Sequence, residues 1–450
     1  MSQLTVAKFG GTSVADAHAM ALCAKIVTQN PQTRVVALSA SAGVTNLLVA
    51  LAQGTLSQEE RQAHLTRLTH IQDAILDALG RPDAACQQIQ TILAEVAQLA
   101  EQAVQETDAA LVDRLVAQGE LMSTRLFTEL LTQQGHKASW FDVRRVMRTD
   151  SLFGKATPAI EALRTLCQQE LSPLLTDHIV ITQGFIGANA EGQTTTLGRG
   201  GSDYSAALLA EALNASELEI WTDVPGIYTT DPRLVSSARP IDEISFAEAA
   251  EMATFGAKVL HPATLQPALR KGIPVFVGSS KAPEAGGTWV RGKTDSTPLF
   301  RAVALRRNQQ LLTLQSPSML GACGFLAEVF SILAKHRISV DLITTSEVSV
   351  SLTLDHTGSQ SSGKSMLSDA VLAELSALCK VKVEEDLALV ALIGNRMSEV
   401  NGAGSRVFDT LDDVNIRLIC YGASPHNLCF LVREADAVSV VQRLHQQLLG

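Results

Sequence analysis

A chain of 450 residues is too long for one core, and with 46% hydrophobic and 18% charged residues it can build two or three. Its net charge of −10, without a Lys/Arg cluster, argues against a nucleic-acid surface and leaves any anionic ligand to be held by a local site. No apolar run reaches about 18 residues, no apolar leader opens the chain, and seven scattered cysteines without a Cys-x-x-Cys pair point away from disulfides and zinc toward a reducing cytoplasm.

The first expected strand, residues 4–9, runs into Val6-Ala-Lys8-Phe-Gly10-Gly11-Thr12-Ser13, and a helix is expected to start near Thr12 or Ser13, either of which can cap it. Glycines let backbone N–H groups approach an anion, a helix N-terminus adds positive potential, and Lys8 supplies a mobile charge. A plain strand-to-helix turn with a surface lysine explains the same residues. After a second strand, 34–39, the small-residue loop through Gly43 and Thr45 suits close ligand approach. Residues 58–131 read as helix, with Leu65, Leu68, Ile71, Ile75 and Leu76 at helical spacing. Within that stretch Glu120 passes, on its own terms, as a solvated surface acid.

A strand at 178–184 precedes the loop Gly198-Arg199-Gly200-Gly201-Ser202-Asp203 and an apolar helix over 205–213. Arg199 can grip a carboxylate bidentately, whereas Asp203 can simply cap the helix. Two glycine-rich anion loops in one chain are harder to explain structurally than one. The strand 217–222 then leads through Thr222, Asp223 and Pro225-Gly226 to Tyr228 and Arg233, and ligands of open α/β sheets bind at the carboxyl ends of strands. The run Phe255-Gly256-Ala257-Lys258-Val259-Leu260-His261 has a second lysine, which alone reads as solvated, and a histidine that alone reads as structural. A strand at 274–278 follows.

The stretch 281–298, rich in Gly, Pro and Thr, reads as a linker, and shorter units follow it. Strands are expected at 311–314, 339–343, 348–354 and 381–393, with helices at 325–336 and 365–378. Val329, Phe330, Leu333, Ile338, Val340 and Ser346 have counterparts 78 residues on at Val407, Phe408, Leu411, Ile416, Leu418 and Ser424, a pattern of internal duplication. Each copy reads β-α-β-β-α. The helix at 435–449 leaves the second copy without a closing strand, and residues 300–305 are the expected donor. Hence 310–385 is expected to form one unit, inserted within a second made of 299–306 and 386–450.

These motifs, in this order, resemble the aspartokinase family over essentially the whole chain, and most closely its lysine-sensitive monofunctional type; no homoserine dehydrogenase domain follows. The resemblance implies an α/β fold: an amino-acid-kinase-like three-layer α/β/α domain over 1–290, then two ferredoxin-like βαββαβ ACT domains. It implies a cytoplasmic enzyme that transfers a phosphoryl group from ATP, with Mg²⁺, to the side-chain carboxylate of L-aspartate. That is the first step of lysine, threonine and methionine biosynthesis, with feedback by an amino acid, L-lysine by this likeness. Lys8 and Lys258 would contact the phosphates and Asp203 would orient them. Gly10, Gly11, Gly200, Gly201, Thr222, Asp223, Tyr228, Arg233 and Val259 would line the nucleotide, and Thr45, Glu120, Arg199 and Ser202 would bind aspartate. Met319, Phe325, Leu326, Val340, Asp341, Ser346 and Glu347 would bind the effector in a homodimer joined through the ACT domains, the two acids taking lysine's two ammonium groups. No residue is assigned as a metal ligand. On pattern alone the apolar members of that last set read as core. Two rivals stand beside this reading: another kinase of the same fold acting on a different substrate, and a silent amino-acid sensor, which would have damaged phosphate loops.

Overall fold

Continuous apolar runs become strands covered on both faces, as parallel sheets require. The computed structural model describes residues 3–256, 262–319, 323–355 and 366–450. Its first unit comprises Met1–Ile227, Pro240–Ala250 and Lys258–Thr294. The strands here are β1 (Thr5–Phe9), β2 (Thr33–Leu38), β3 (Ala138–Phe141), β4 (Ile179–Gln183), β5 (Ile186–Ala188), β6 (Thr194–Thr196), β7 (Glu217–Thr222), β8 (Glu243–Ser245), β9 (Val275–Ser279) and β10 (Gly287–Arg291). Eight of them form one sheet in the order β3-β4-β2-β1-β7-β9-β10-β8, parallel from β3 through β9, while β5 and β6 make a separate hairpin. All of β1 is buried, so whatever its carboxyl end presents rests on an immobile base.

The helices are α1 (Ala17–Gln29), α2 (Val44–Ala52), α3 (Gln58–Ala78), α4 (Asp83–Gln105), α5 (Ala109–Val116), α6 (Gln118–Gln133), α7 (Ile160–Leu166), α8 (Gly201–Leu213), α9 (Phe246–Thr254) and α10 (Pro262–Lys271). α6 packs on β2, β3 and β4, and α8 on β1, β2 and β7. α8 is apolar nearly all round, with Ser205 through Leu213 all buried, as suits a helix with neighbours on every side.

Two local expectations need correction. No α-helix starts at Thr12 or Ser13: Gly11–Val14 make a single 3-10 turn, and α1 begins later with Asp16 as its cap, accepting the Ala19 N–H at 2.8 Å. The stretch 281–298 is not only a linker. It contains β10, antiparallel to β9 and parallel to β8, so it completes the first sheet.

The second unit comprises Tyr228–Arg239, Glu251–Ala257 and Asp295–Gly450. Its strands are β11 (Ala302–Gln315), β12 (Ser339–Thr345), β13 (Ser349–Asp355), β14 (Lys380–Ile393), β15 (Leu418–Tyr421) and β16 (Asn427–Arg433), and its helices α11 (Phe325–Lys335), α12 (Asp369–Leu378), α13 (Ala403–Phe408) and α14 (Ala437–Leu448). The sheet order is β12-β13-β11-β14-β16-β15, and every pairing is antiparallel. Residues 302–305 of the expected donor 300–305 and residues 311–314, expected as separate strands, belong to one strand. Its first half pairs with Leu389–Ile393 of β14, which also pairs with β16, and its second half pairs with Lys380–Glu384 and with β13. The register shifts between Arg306 and Leu311 where the halves meet.

Two apolar cores cover this sheet, and duplicated positions fall in matching places. Val329 and Leu333 enter one core, Val407 and Leu411 the other, all nearly inaccessible. Two segments that the sequence reading assigned to 1–290 also pack in this unit. Val235 joins the core that contains Phe430 and Val440, and Thr229 bonds to His445 of α14 at 2.8 Å. Glu251 accepts hydrogen bonds from Ser424 Oγ and Asn427 Nδ2, both at 2.7 Å.

Candidate active site

The carboxyl ends of parallel strands gather the first unit's motifs. Gly10 and Gly11 follow β1, and the Gly10 N–H bonds to the Trp221 carbonyl at the end of β7. A Cβ on Gly11 would stand 2.7 Å from the Ala40 carbonyl, so only glycine lets this turn lie against the loop after β2. Ser13 and Ser280 share a hydrogen bond of 2.6 Å, and Ser280 Oγ donates to the Thr222 carbonyl at 3.1 Å. The ends of β1, β7 and β9 are thereby tied together.

Lys8 is 8% exposed, and its Nζ lies 2.5 Å from Asp203 Oδ1. Asp203 is the third residue of α8, and the residue before the helix is Gly200, in the left-handed region at φ +73°. The helix has no side-chain cap, so Asp203 is not the cap that its position allowed; it holds the lysine instead. Ser202 packs against the end of β4, where a Cβ on Gly184 would come within 2.8 Å of it. Arg199 is exposed on the loop ahead of α8. Thr45 is half-buried in the first turn of α2, after Gly43 at φ +82°.

Glu120 departs most from its sequence reading. It is 3% exposed, not a solvated acid, because α6 lies with Gly119 against Ala40 and Val44. Its Oε1 accepts the Ala40 N–H at 3.1 Å, and its Oε2 is buried without a partner among the described residues. Burial pushes its carboxyl up to about 8, against the pull of the Ala40 hydrogen bond. Among the described residues that second oxygen has no donor, and a buried polar atom of this kind calls for a partner.

The nucleotide residues named from the sequence divide. Thr222 and Asp223 stand at the end of β7, with Thr222 Oγ1 donating to Asp223 Oδ1 at 3.2 Å. Tyr228 and Arg233 belong to the second unit, where Asp231 holds the Arg233 guanidinium at 2.6 Å. Lys258, Val259 and His261 lie outside the described residues.

Of the expected effector residues, Met319, Phe325 and Val340 pack on the core that contains Val329, and Leu326 is exposed on α11. Asp341 is paired with Arg306 at 2.7 Å. Ser346 shares a 2.7 Å hydrogen bond with Ser349 in the turn between β12 and β13, and Glu347 is exposed in that turn. Sequence reasoning missed Asp113, a 2% exposed acid on α5 whose only sign was an acid within an apolar run.

A profile described as the amino acid kinase family matches residues 3–279, and one described as an ACT domain matches residues 312–361 and 390–448. The chain is 63% identical over 448 residues to the lysine-sensitive aspartokinase 3 of Escherichia coli K12, covering 100% of both. It superposes on the crystal structure of E. coli aspartokinase III with aspartate and ADP, an R-state, with a TM-score of 0.91 at 62% identity over 100% of both chains. With the lysine and aspartate complex, a T-state, the TM-score is 0.86 at 62% identity over 99% of this chain and 100% of that one.

Proposed function

The chain belongs to the aspartokinase family, and on that premise we propose how its residues phosphorylate L-aspartate under lysine control. Its fold is an α/β amino-acid kinase domain followed by ACT domains. The enzyme transfers the γ-phosphoryl group of ATP to the side-chain carboxylate of L-aspartate, giving 4-phospho-L-aspartate and ADP, the entry step to lysine, threonine and methionine. The ligands in the E. coli structures come to this chain as its substrate, its product and its inhibitor.

A side-chain carboxylate is already ionised at pH 7, so no general base is required. One aspartate oxygen bonds to the γ-phosphorus while the bond to the bridging β,γ-oxygen breaks, and ADP keeps that electron pair. The obstacle is repulsion between two anions, and it is met by alignment and charge. Lys8 neutralises the phosphates and Asp203 fixes its direction; the 2.5 Å contact between them carries this reading. The backbone N–H groups of Gly11 and Gly200 face the polyphosphate, while Gly10 and Gly201, whose N–H groups bond to the Trp221 and Gly198 carbonyls, shape the two turns beside it. Glu120 takes the substrate ammonium, Arg199 a carboxylate, and Thr45 and Ser202 complete the aspartate site. Thr222 and Asp223 line the nucleotide; Lys258 and Val259 are assigned to it on family likeness alone. Mg²⁺ carried in with ATP would be held by phosphate oxygens and water and would add to the charge of Lys8, since Asp203 is already taken by that lysine.

In the second unit, residues 310–385 form the first regulatory domain, and 299–306 with 386–450 the second, a division supported by the two cores and the split pairing of β11. Lysine meets Asp341 and Glu347 beside Met319, Phe325, Leu326, Val340 and Ser346, with the ACT domains also joining two copies of the chain. All seven cysteines are free, which supports a reducing cytoplasm, and no helix among the described residues is long and apolar enough to cross a membrane. An ADP-release assay with aspartate as acceptor, with and without lysine, tests the whole reading. Release that is independent of aspartate would overturn it.

A further inference from the structure

β6 consists of three buried threonines, each tied by its side chain. Thr194 accepts from Arg144, Thr195 shares a hydrogen bond with Thr149, and Thr196 donates to Asp113 Oδ1 at 2.8 Å. Asp113 also accepts the Thr196 N–H at 2.7 Å and the Gly154 N–H at 2.9 Å. Both partners adjoin the Arg199 loop. Thr196 is two residues ahead of Gly198, and a Cβ on Gly198 would stand 3.1 Å from the Gly154 carbonyl. Gly198 itself sits at φ +77°, so the loop leaves β6 through a turn whose two sides are pinned by one carboxylate.

The other end of Asp113 is α5. That helix packs on α2, which carries Thr45, and it runs directly into α6, which carries Glu120. One short helix therefore supports three of the four residues proposed for the aspartate site: Glu120 by chain continuity, Thr45 by packing, and Arg199 through Asp113. A buried carboxylate that accepts three hydrogen bonds is a stiff brace, because losing it leaves its donors unpaired.

We propose that Asp113 is a positioning residue for aspartate recognition, setting the distance between the Arg199 loop and Glu120 through its bonds to Thr196 and Gly154. It touches no substrate; it decides what length of amino acid the site accepts. This rests on the reading in which Arg199 binds a substrate carboxylate.

Steady-state kinetics with aspartate and ATP varied separately tests it in the full-length enzyme. Asp113→Asn should raise KM for aspartate by roughly tenfold, the scale of a sub-ångström misplacement, with KM for ATP nearly constant. It should also relax the preference for aspartate over glutamate, which is one methylene longer. Thr196→Val, a gentler change, should shift both readouts the same way, and Thr196→Ser should restore them. If activity falls only in proportion to folded protein, with both KM values and the aspartate/glutamate ratio unchanged, Asp113 is merely structural and the proposal is wrong. Arg199→Ala separates the two levels. No effect of that variant on KM for aspartate removes the underlying reading, whereas a large effect beside silent Asp113 and Thr196 variants removes this inference alone.

Discussion

Lys8–Asp203 in the first unit and Arg306–Asp341 in the second are close ion pairs, at 2.5 and 2.7 Å, with similarly small side-chain exposure. They are built on different ground. Lys8 stands on a strand in the middle of a parallel sheet, and Asp203 on the first turn of a helix packed on that strand. Arg306 stands where the register of β11 slips, and Asp341 where the register of the edge strand β12 slips, between Val340 and Ile343. Register shifts of this kind re-aim side chains and interrupt a ladder. On the proposed roles, the charge meant for the transition state is held by an unbroken central strand and the helix packed on it, while the charge meant to sense an effector is held where two ladders are interrupted.

The largest way to break that comparison is at Lys8. Lys8→Ala should cut kcat by about 10² or more, the scale of losing a preorganised electrostatic donor, while circular dichroism remains that of the folded protein. Turnover near normal would remove Lys8 from the chemistry and with it this half of the contrast.

Glu120 comes next, because it is buried more deeply than Lys8. Glu120→Gln should lower kcat/KM for aspartate by roughly 10- to 100-fold, as for the loss of a charge-assisted hydrogen bond. With its carboxyl raised to about 8 by burial, the empty enzyme holds Glu120 largely protonated at pH 7, and binding the ammonium must ionise it. Thus kcat/KM for aspartate should climb from pH 6 toward 8 and then level, and the Gln variant should be flat over that range. Stability follows the opposite sign: a raised carboxyl favours the protonated fold, so its contribution is present at low pH and is lost as pH rises through about 8. A wild-type profile already level at pH 6 would show that Glu120 is ionised without substrate.

On the regulatory side, Asp341→Asn keeps shape and removes charge. It should raise the half-inhibiting lysine concentration by roughly tenfold, in keeping with one charge-assisted contact, and leave uninhibited kcat within about a factor of two. Equal losses in both would mean that the Arg306–Asp341 pair is scaffold for the whole enzyme and the contrast between the two pairs fails.

What was legible in the sequence follows the same division. The two glycine-rich loops stand out in the sequence because their residues are contiguous: Lys8 with Gly10 and Gly11, and Arg199 with Gly200, Gly201 and Asp203, each fall within a few residues. The duplication was legible because buried positions such as Val329 and Val407 keep their spacing. Burial of single acids was not. Periodicity tells which face of a helix is apolar but not what covers the other, so Glu120 read as solvated until Gly119 was found against Ala40, and Asp113 gave no motif at all. β10 was hidden because Gly287-Thr-Trp-Val-Arg291 is too short and glycine-flanked to signal a strand without β9 and β8 beside it. The place of Arg233 was equally illegible, since nothing local shows that Tyr228–Arg239 packs with α14.

The smallest effect bears on the duplicated serines. Ser346 lies in the exposed turn after β12, whereas its counterpart Ser424 donates to Glu251, which also receives Asn427. In the second copy, then, the position matching an expected effector contact already holds a carboxylate of its own chain. Ser424→Ala removes one of two donors and leaves the other, so the cost is near the low end for a hydrogen bond to a charged group, about 1 kcal/mol. Amide exchange in the last turn of α9 should therefore quicken by about fivefold, measured by hydrogen exchange with mass spectrometry. Ser346→Ala should leave that segment unchanged. Equal responses to the two substitutions would mean that the copies have not diverged in use, and the second would have to be counted as an effector site like the first.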